Sequence, residues 1–148
     1  MLTVGELMTR DVTTLQETDG VLQGDDLLKL QHIRHLPVLR GGKLVGLVSH
    51  RDLIRALARH PASSGAPPVT MGDIMTRELE TVTPDLPVRE AIHLLLEHRF
   101  GCLPVVDGKG ALVGIVTEAD FMRLASRLLD AAESRVGDAL KDAASAPP

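Results

Sequence analysis

The sequence is written twice. "VGELMTRDVTTL" at 4–15 lies over "MGDIMTRELETV" at 71–82 when the chain is shifted by 67 residues, and "HLPVL" at 35–39 lies over "CLPVV" at 102–106 at the same shift. "KLVGLVSHRDL" then matches "ALVGIVTEADF" at a shift of 68. The extra residue falls where "RGGK" becomes "DGKGA", a turn, where an insertion costs least. Such self-similarity means that one supersecondary unit is used twice. A unit of about 55 residues is marginal alone, so the two copies are expected to bury their sheets against each other.

Each copy reads as the same series of elements. The "LMTR" and "IMTR" segments suit a short helical turn, and apolar strands are expected at 12–15 and 79–82. A helix follows. In the second copy Asp85 is the expected N-cap, Pro87 falls in the first turn, and Val88, Ala91, Ile92, Leu95 and Leu96 share one face. The first-copy helix carries Val21, Leu27, Leu28 and Leu30 but also Gly20 and Gly24, each costing up to about 1 kcal/mol relative to Ala, so it is expected to be less regular. Two strands, 36–39 and 44–48, joined at Gly41-Gly42, read as a hairpin, with second-copy partners at 103–106 and 112–116. A last helix begins near residue 50 or 118; the first stops at Pro61, the second runs to about Val136. Arg99, at the end of the second copy's first helix, reads as a cation offsetting the helix dipole. The expected organisation is therefore repeat 1 at 1–60, a Pro/Gly/Ser-rich linker at 61–70, repeat 2 at 71–136, and a flexible tail at 137–148.

Composition narrows the function classes. The 148 residues are 44% apolar and 24% charged, an ordinary globular balance. Sixteen basic against twenty acidic side chains give a net charge of −4, and two Phe with no Trp or Tyr leave little to stack bases on, which argues against nucleic-acid binding. Apolar runs such as "ALVGIV" at 111–116 fall far short of the roughly 18 residues of a membrane span. A lone Cys102 and no basic-then-apolar leader give the expectation of a cytoplasmic protein.

The candidate chemistry lies in a repeated octet, "GLVSHRDL" at 46–53 and "GIVTEADF" at 114–121. Two readings compete. Ser49 with Asp52, and Thr117 with Asp120, each sit between a strand and a helix with the spacing of a capping box, although Asp suits the return bond less well than Glu or Gln. Alternatively, a hydroxyl and a carboxylate beside the N–H groups of a helix start offer what a nucleotide needs. A carboxylate accepts from both ribose hydroxyls, helix-start N–H groups attract phosphate, and Gly46 and Gly114 let a ligand or neighbouring strand approach the backbone.

The repeat, the "LPV" strands and the octet pattern G-h-V-[ST]-x-x-D-h resemble the cystathionine-β-synthase (CBS) domain, present as a tandem pair, the Bateman module; the likeness covers about residues 3 to 135. The resemblance implies an α+β fold of two β-α-β-β-α repeats packed by pseudo-twofold symmetry, with two clefts that often bind AMP, ATP or another adenosine-containing ligand, and a module that commonly dimerises. By the same resemblance, ribose falls to Asp52, Asp120, Ser49 and Thr117, and adenine to Thr14 and Leu15 or Thr81 and Val82. Phosphate falls to Arg34, His35, His50 and Arg51. The second copy has Gly101, Cys102, Glu118 and Ala119 at those four places, so the clefts are expected to differ.

Other chemistry finds little support. His32 and His35, or His93 and His98, belong to no Cys/His set with metal-site spacing. Cys102, beside an apolar strand, reads as a small buried hydrophobe. No G-x-S-x-G, P-loop or G-x-G-x-x-G is present and the octet acids lack a paired base, so no catalysis and no required cofactor are expected. The expected function is a regulatory sensor of an adenosine-containing ligand, AMP, ADP or ATP first, then S-adenosylmethionine, an NAD-type or a dinucleotide ligand. It would act as a homodimer on an unidentified client protein. The competing class is a ligand-free dimerisation or interaction scaffold.

Overall fold

The fold is described from a computed structural model, in which residues 1–61, 65, 67–98 and 100–145 are described. Arg99 and the linker positions 62–64 and 66 lie outside the described residues, as do 146–148. The first copy runs α1 (Val4–Leu7), β1 (Leu15–Gln16), α2 (Val21–Gln31), β2 (His35–Arg40), β3 (Lys43–Ser49) and α3 (His50–Arg59). The second runs α4 (Met71–Ile74), α5 (Val88–His98), β4 (Cys102–Val106), β5 (Leu112–Thr117) and α6 (Glu118–Ser145). β1, β2 and β3 form one sheet in that order, and β4 pairs with β5. Residues up to Val116 form one compact unit, and those from Thr117 onward form a second.

Within the first unit, each copy's opening segment is built into the other copy. The Val4 N–H donates to the Leu86 carbonyl and the Gly5 N–H to the Pro84 carbonyl, both at 2.8 Å, while the Val88 N–H returns to the Leu2 carbonyl at 3.0 Å. The reciprocal set is the same one shift later. Met71 N–H donates to Asp19, Gly72 N–H to Glu17, and Val21 N–H to Val69. Further along, Thr9 pairs with Ile115 and Thr76 with Leu47. Arg10 and Arg77 close their own turns by donating to the carbonyls of Gly5 and Gly72, both at 3.1 Å. The shared "M-T-R" thus ties each helical turn to a strand of the opposite repeat.

The same crossing shortens the expected first strands. Thr9 is held on β5 and Leu15 on β2, so the residues between them carry the chain from one repeat to the other and cannot pair. Only Leu15–Gln16 forms a strand, rather than 12–15. In the second copy only Val82, bridged in parallel to Val105, represents the strand expected at 79–82.

Side-chain packing follows the exchange. Met71 and Met75 of the second copy complete the first copy's core of Leu15, Val21, Leu28, Leu36, Val38, Val48 and Leu53. Leu36, Pro37 and Val38 are all fully buried, which explains why the "LPV" run is continuous rather than alternating. A Cβ on Gly46 would lie 2.3 Å from Met75 Sδ, and one on Gly114 would lie 2.4 Å from Met8 Sδ. The neighbour that these glycines admit is therefore the methionine of the opposite repeat. Gly24 plays the same part in α2, which is a regular helix despite it: a Cβ there would meet Met71 Cε at 2.8 Å.

Two further expectations change. Asp85 is not an N-cap, because α5 starts at Val88; its carboxylate instead accepts from the Thr83 hydroxyl, and the Pro87 carbonyl takes the Ala91 N–H at 3.2 Å. α6 does not stop near Val136 but continues to Ser145, so 137–145 is helical rather than a flexible tail. The hairpin turn is as expected, with Gly41 and Gly42 at φ +55 and +81, the conformation of a two-residue type I′ loop.

Gly46→Ala and Gly114→Ala should each lower unfolding free energy by about 1–3 kcal/mol through overpacking against methionine. Gly108→Ala, whose added Cβ meets nothing within 4 Å, should stay within about 0.5 kcal/mol of wild type. Urea unfolding of the three variants checks this.

Candidate functional site

The first-copy residues converge at one end of the sheet. β2 begins at His35 and β3 ends at Ser49, and the antiparallel register sets these two residues opposite each other. The chain turns there into α3, and the His50 N–H donates to the Arg34 carbonyl at 2.8 Å. On the other side of β2, Leu15 pairs with Val38, three residues or about 10 Å along the strand from His35. Thr14 precedes it toward the same end.

Ser49 and Asp52 form a complete capping box. The Asp52 N–H donates to Ser49 Oγ at 3.2 Å, and the Ser49 N–H donates back to Asp52 Oδ2 at 2.9 Å, so the shorter Asp makes the return bond after all. Among the described residues Asp52 Oδ1 accepts no hydrogen bond. Asp52, Ser49, His35 and Thr14 are half-buried, Leu15 is buried, and Arg34, His50 and Arg51 are exposed. A half-buried acid, one of whose carboxylate oxygens accepts no hydrogen bond among the described residues, thus shares this end of the sheet with the exposed Arg34, His50 and Arg51.

The second copy is arranged differently. Val82 is buried beside Val105, and Thr81 is exposed. Gly101, at the place of Arg34, is more than a missing cation. A Cβ there would lie 2.6 Å from His35 Cε1, so the His35 ring of the first copy occupies that space. Cys102 is buried, and burial pushes its thiol up to about 12.

At the head of α6, the Thr117 N–H donates to Asp120 Oδ2 at 2.8 Å, and Arg123 Nη2 donates to Oδ1 at 2.6 Å. Asp120 is buried at 5% exposure, against half-buried Asp52. Sequence reasoning passed over Arg123, although a cation three residues after an acid on a helix is a standard pairing. Among the described residues no group of three His, Cys, Asp or Glu side chains could hold a metal ion, and the His98 ring stacks on Phe100 with centroids 5.4 Å apart. No helix among them is long and apolar enough to cross a membrane.

A family model described as CBS domain matches residues 4–59 and 71–127, the two copies. The chain belongs to the CBS domain family. Solved CBS proteins share its architecture. An acetoin utilization protein (AcuB) from Vibrio cholerae superposes with a TM-score of 0.78 at 36% identity, covering 90% of this chain and 97% of that one. The CBS domain pair of protein MJ0100, solved with 5′-methylthioadenosine and S-adenosyl-L-methionine, gives 0.76 at 29% identity over 85% and 97%. CBSX2 of Arabidopsis thaliana, solved with AMP, gives 0.74 at 31% over 86% and 98%. Among curated relatives, a homoserine O-acetyltransferase of Methanohalophilus mahii is 34% identical over 117 residues, which is 78% of this chain and 23% of that enzyme. This CBS pair spans under a quarter of the length of the first curated relatives it matches.

Burial of the Cys102 thiol sets its reactivity. With the thiol near 12 instead of its ordinary 9.0, the thiolate fraction at pH 8 falls roughly a thousandfold. Labelling by a thiol reagent should therefore follow denaturant-induced unfolding. Rapid labelling of the native protein would contradict this.

Proposed function

We propose that this CBS pair is a non-catalytic regulatory module of the cytoplasm that binds an adenosine-containing ligand, AMP, ADP or ATP, and acts as a homodimer on a client protein. The observation that carries the reading is the open Oδ1 of Asp52, beside a complete cap and near Arg34, His35, His50 and Arg51. The ribose hydroxyls bind Asp52 with Ser49 alongside, the adenine lies against Thr14 and the edge of Leu15, and phosphate extends to Arg34, His35, His50 and Arg51. Charge separation requires this polarity, because the carboxylate repels phosphate. The AMP complex of CBSX2 and the methylthioadenosine and S-adenosylmethionine complex of protein MJ0100 support an adenosine ligand by similarity.

The second octet, with Thr117 and Asp120, is the weaker ribose position. Asp120 spends Oδ1 on Arg123 and Oδ2 on Thr117, so fewer lone pairs are left for ribose. Glu118 replaces His50 beside it. The scaffold reading has one observation in its favour: both octet acids serve as helix caps.

Thermal shift separates the two. Ligand at a hundred times its Kd should add about 2.7 kcal/mol. Asp52→Asn, whose amide oxygen can still cap Ser49, should keep the apo melting temperature and lose most of the shift, while Asp120→Asn should lose less. S-adenosylmethionine, NAD and a cyclic dinucleotide form the comparison arms. No shift with any of these compounds favours the scaffold.

A further inference from the structure

α6 carries a seam that nothing in the ligand reading uses. Met122, Ala125, Leu129, Ala132, Val136, Ala139 and Ala143 recur at alternating spacings of three and four, an unbroken apolar heptad inside a helix that runs from Glu118 to Ser145. A period of 3.5 residues keeps one narrow face toward a partner helix. The large members of this face are exposed: Met122 71%, Leu129 61% and Val136 59%. Leu128 and Leu140, at 60% and 67%, flank it.

The pattern also specifies the partner. Large residues occupy one heptad position (Met122, Leu129, Val136) and alanine occupies the other (Ala125, Ala132, Ala139). In a parallel pair like faces like, which crowds Met, Leu and Val against themselves and leaves gaps between alanines. In an antiparallel pair the two positions face each other. A second copy then sets Leu129 against Ala132, Met122 against Ala139 and Val136 against Ala125, so every layer joins one large and one small side chain.

Charge disfavours a slide toward the C-terminus. With the twofold between residues 130 and 131, Ser126 flanks the partner's Glu133, and Leu128 flanks the aliphatic stem of the partner's Arg135, so no like charges meet. Sliding the pair one heptad toward the C-terminus would oppose Arg135 to its own copy and Glu133 to its own copy, which is destabilising.

We infer that α6 is a self-association surface on which a second copy of this chain pairs antiparallel through Met122, Leu129 and Val136. This rests on the homodimer of the proposed function, whose contact surface it names, and does not depend on the nucleotide site.

Sedimentation velocity of the full chain from micromolar to submillimolar concentration should show a dimer that the exposed double variant Leu129→Glu/Val136→Glu converts to monomer with an unchanged melting transition at low concentration. Ala132→Leu separates size matching from general stickiness. It adds apolar surface yet overfills the layer opposite Leu129, so it should weaken the dimer. Spin labels, placed in a Cys102→Ala background, read the direction. Labels at Asp130 should lie close across the twofold, and labels at Lys141 should lie about 32 Å apart along the axis, from 21 residues at 1.5 Å each. A monomeric wild type, a dimer indifferent to the Glu pair, a dimer tightened by Ala132→Leu, or two Lys141 labels in close proximity would each overturn the assignment.

Discussion

Reciprocal exchange of the opening segments is the constraint on which the rest of the first unit depends. Neither copy completes the entry to its own first long helix. The first copy's α2 is entered through bonds donated by Met71 and Gly72 and accepted by Val69, and the second copy's α5 through bonds donated by Val4 and Gly5 and accepted by Leu2. Met75 and Met8 then occupy the space that Gly46 and Gly114 leave open. A buried backbone group without a partner costs about as much as a lost hydrogen bond. Separating the repeats would strand both sets at once, in addition to opening the core around Met71 and Met75. This is how two marginal halves reach the stability of one domain.

The candidate ligand positions inherit their geometry from that frame. The crossing segment delivers Thr14 to the end of β1, β2 and β3 bring His35 and Ser49 face to face, and the cap fixes Asp52 at the first turn of α3. In the proposed reading the octet acid serves two demands with its two oxygens. Oδ2 of Asp52 holds the helix start, and Oδ1 is left to face outward chemistry. The asymmetry between copies is likewise physical. The His35 ring fills the space that a side chain at Gly101 would take, and Arg123 engages the oxygen in Asp120 that Asp52 keeps open.

Much of this was legible in the sequence, because hairpins, amphipathic helices and the octet are local patterns. The strands of the "LPV" hairpins, the Gly41-Gly42 turn and the starts of α3 and α6 follow from periodicity and turn chemistry alone. What escaped was nonlocal. Strands 12–15 and 79–82 looked sound by composition, but their residues are committed to crossing between repeats. Asp85 had the position of a cap, but Pro87 lies between it and the helix and Thr83 takes its carboxylate. Thr3 with Glu6 and Thr70 with Asp73 form capping boxes on turns too short to show a period. The reach of α6 past Val136 was masked by the Gly137 and Ala-rich composition of its last turns, in which alanine is in fact the best helix former.

Native-state hydrogen exchange tests the interlock most directly. The amides that cross between repeats, those of Val4, Gly5, Thr9, Met71, Gly72 and Thr76, should exchange only through the opening that also releases β2 and β3, with one common free energy and one common denaturant dependence. If either repeat's crossing amides exchange through a separate, lower-energy opening while the other repeat remains protected, the two halves do not complete each other, and the account given for this fold is wrong.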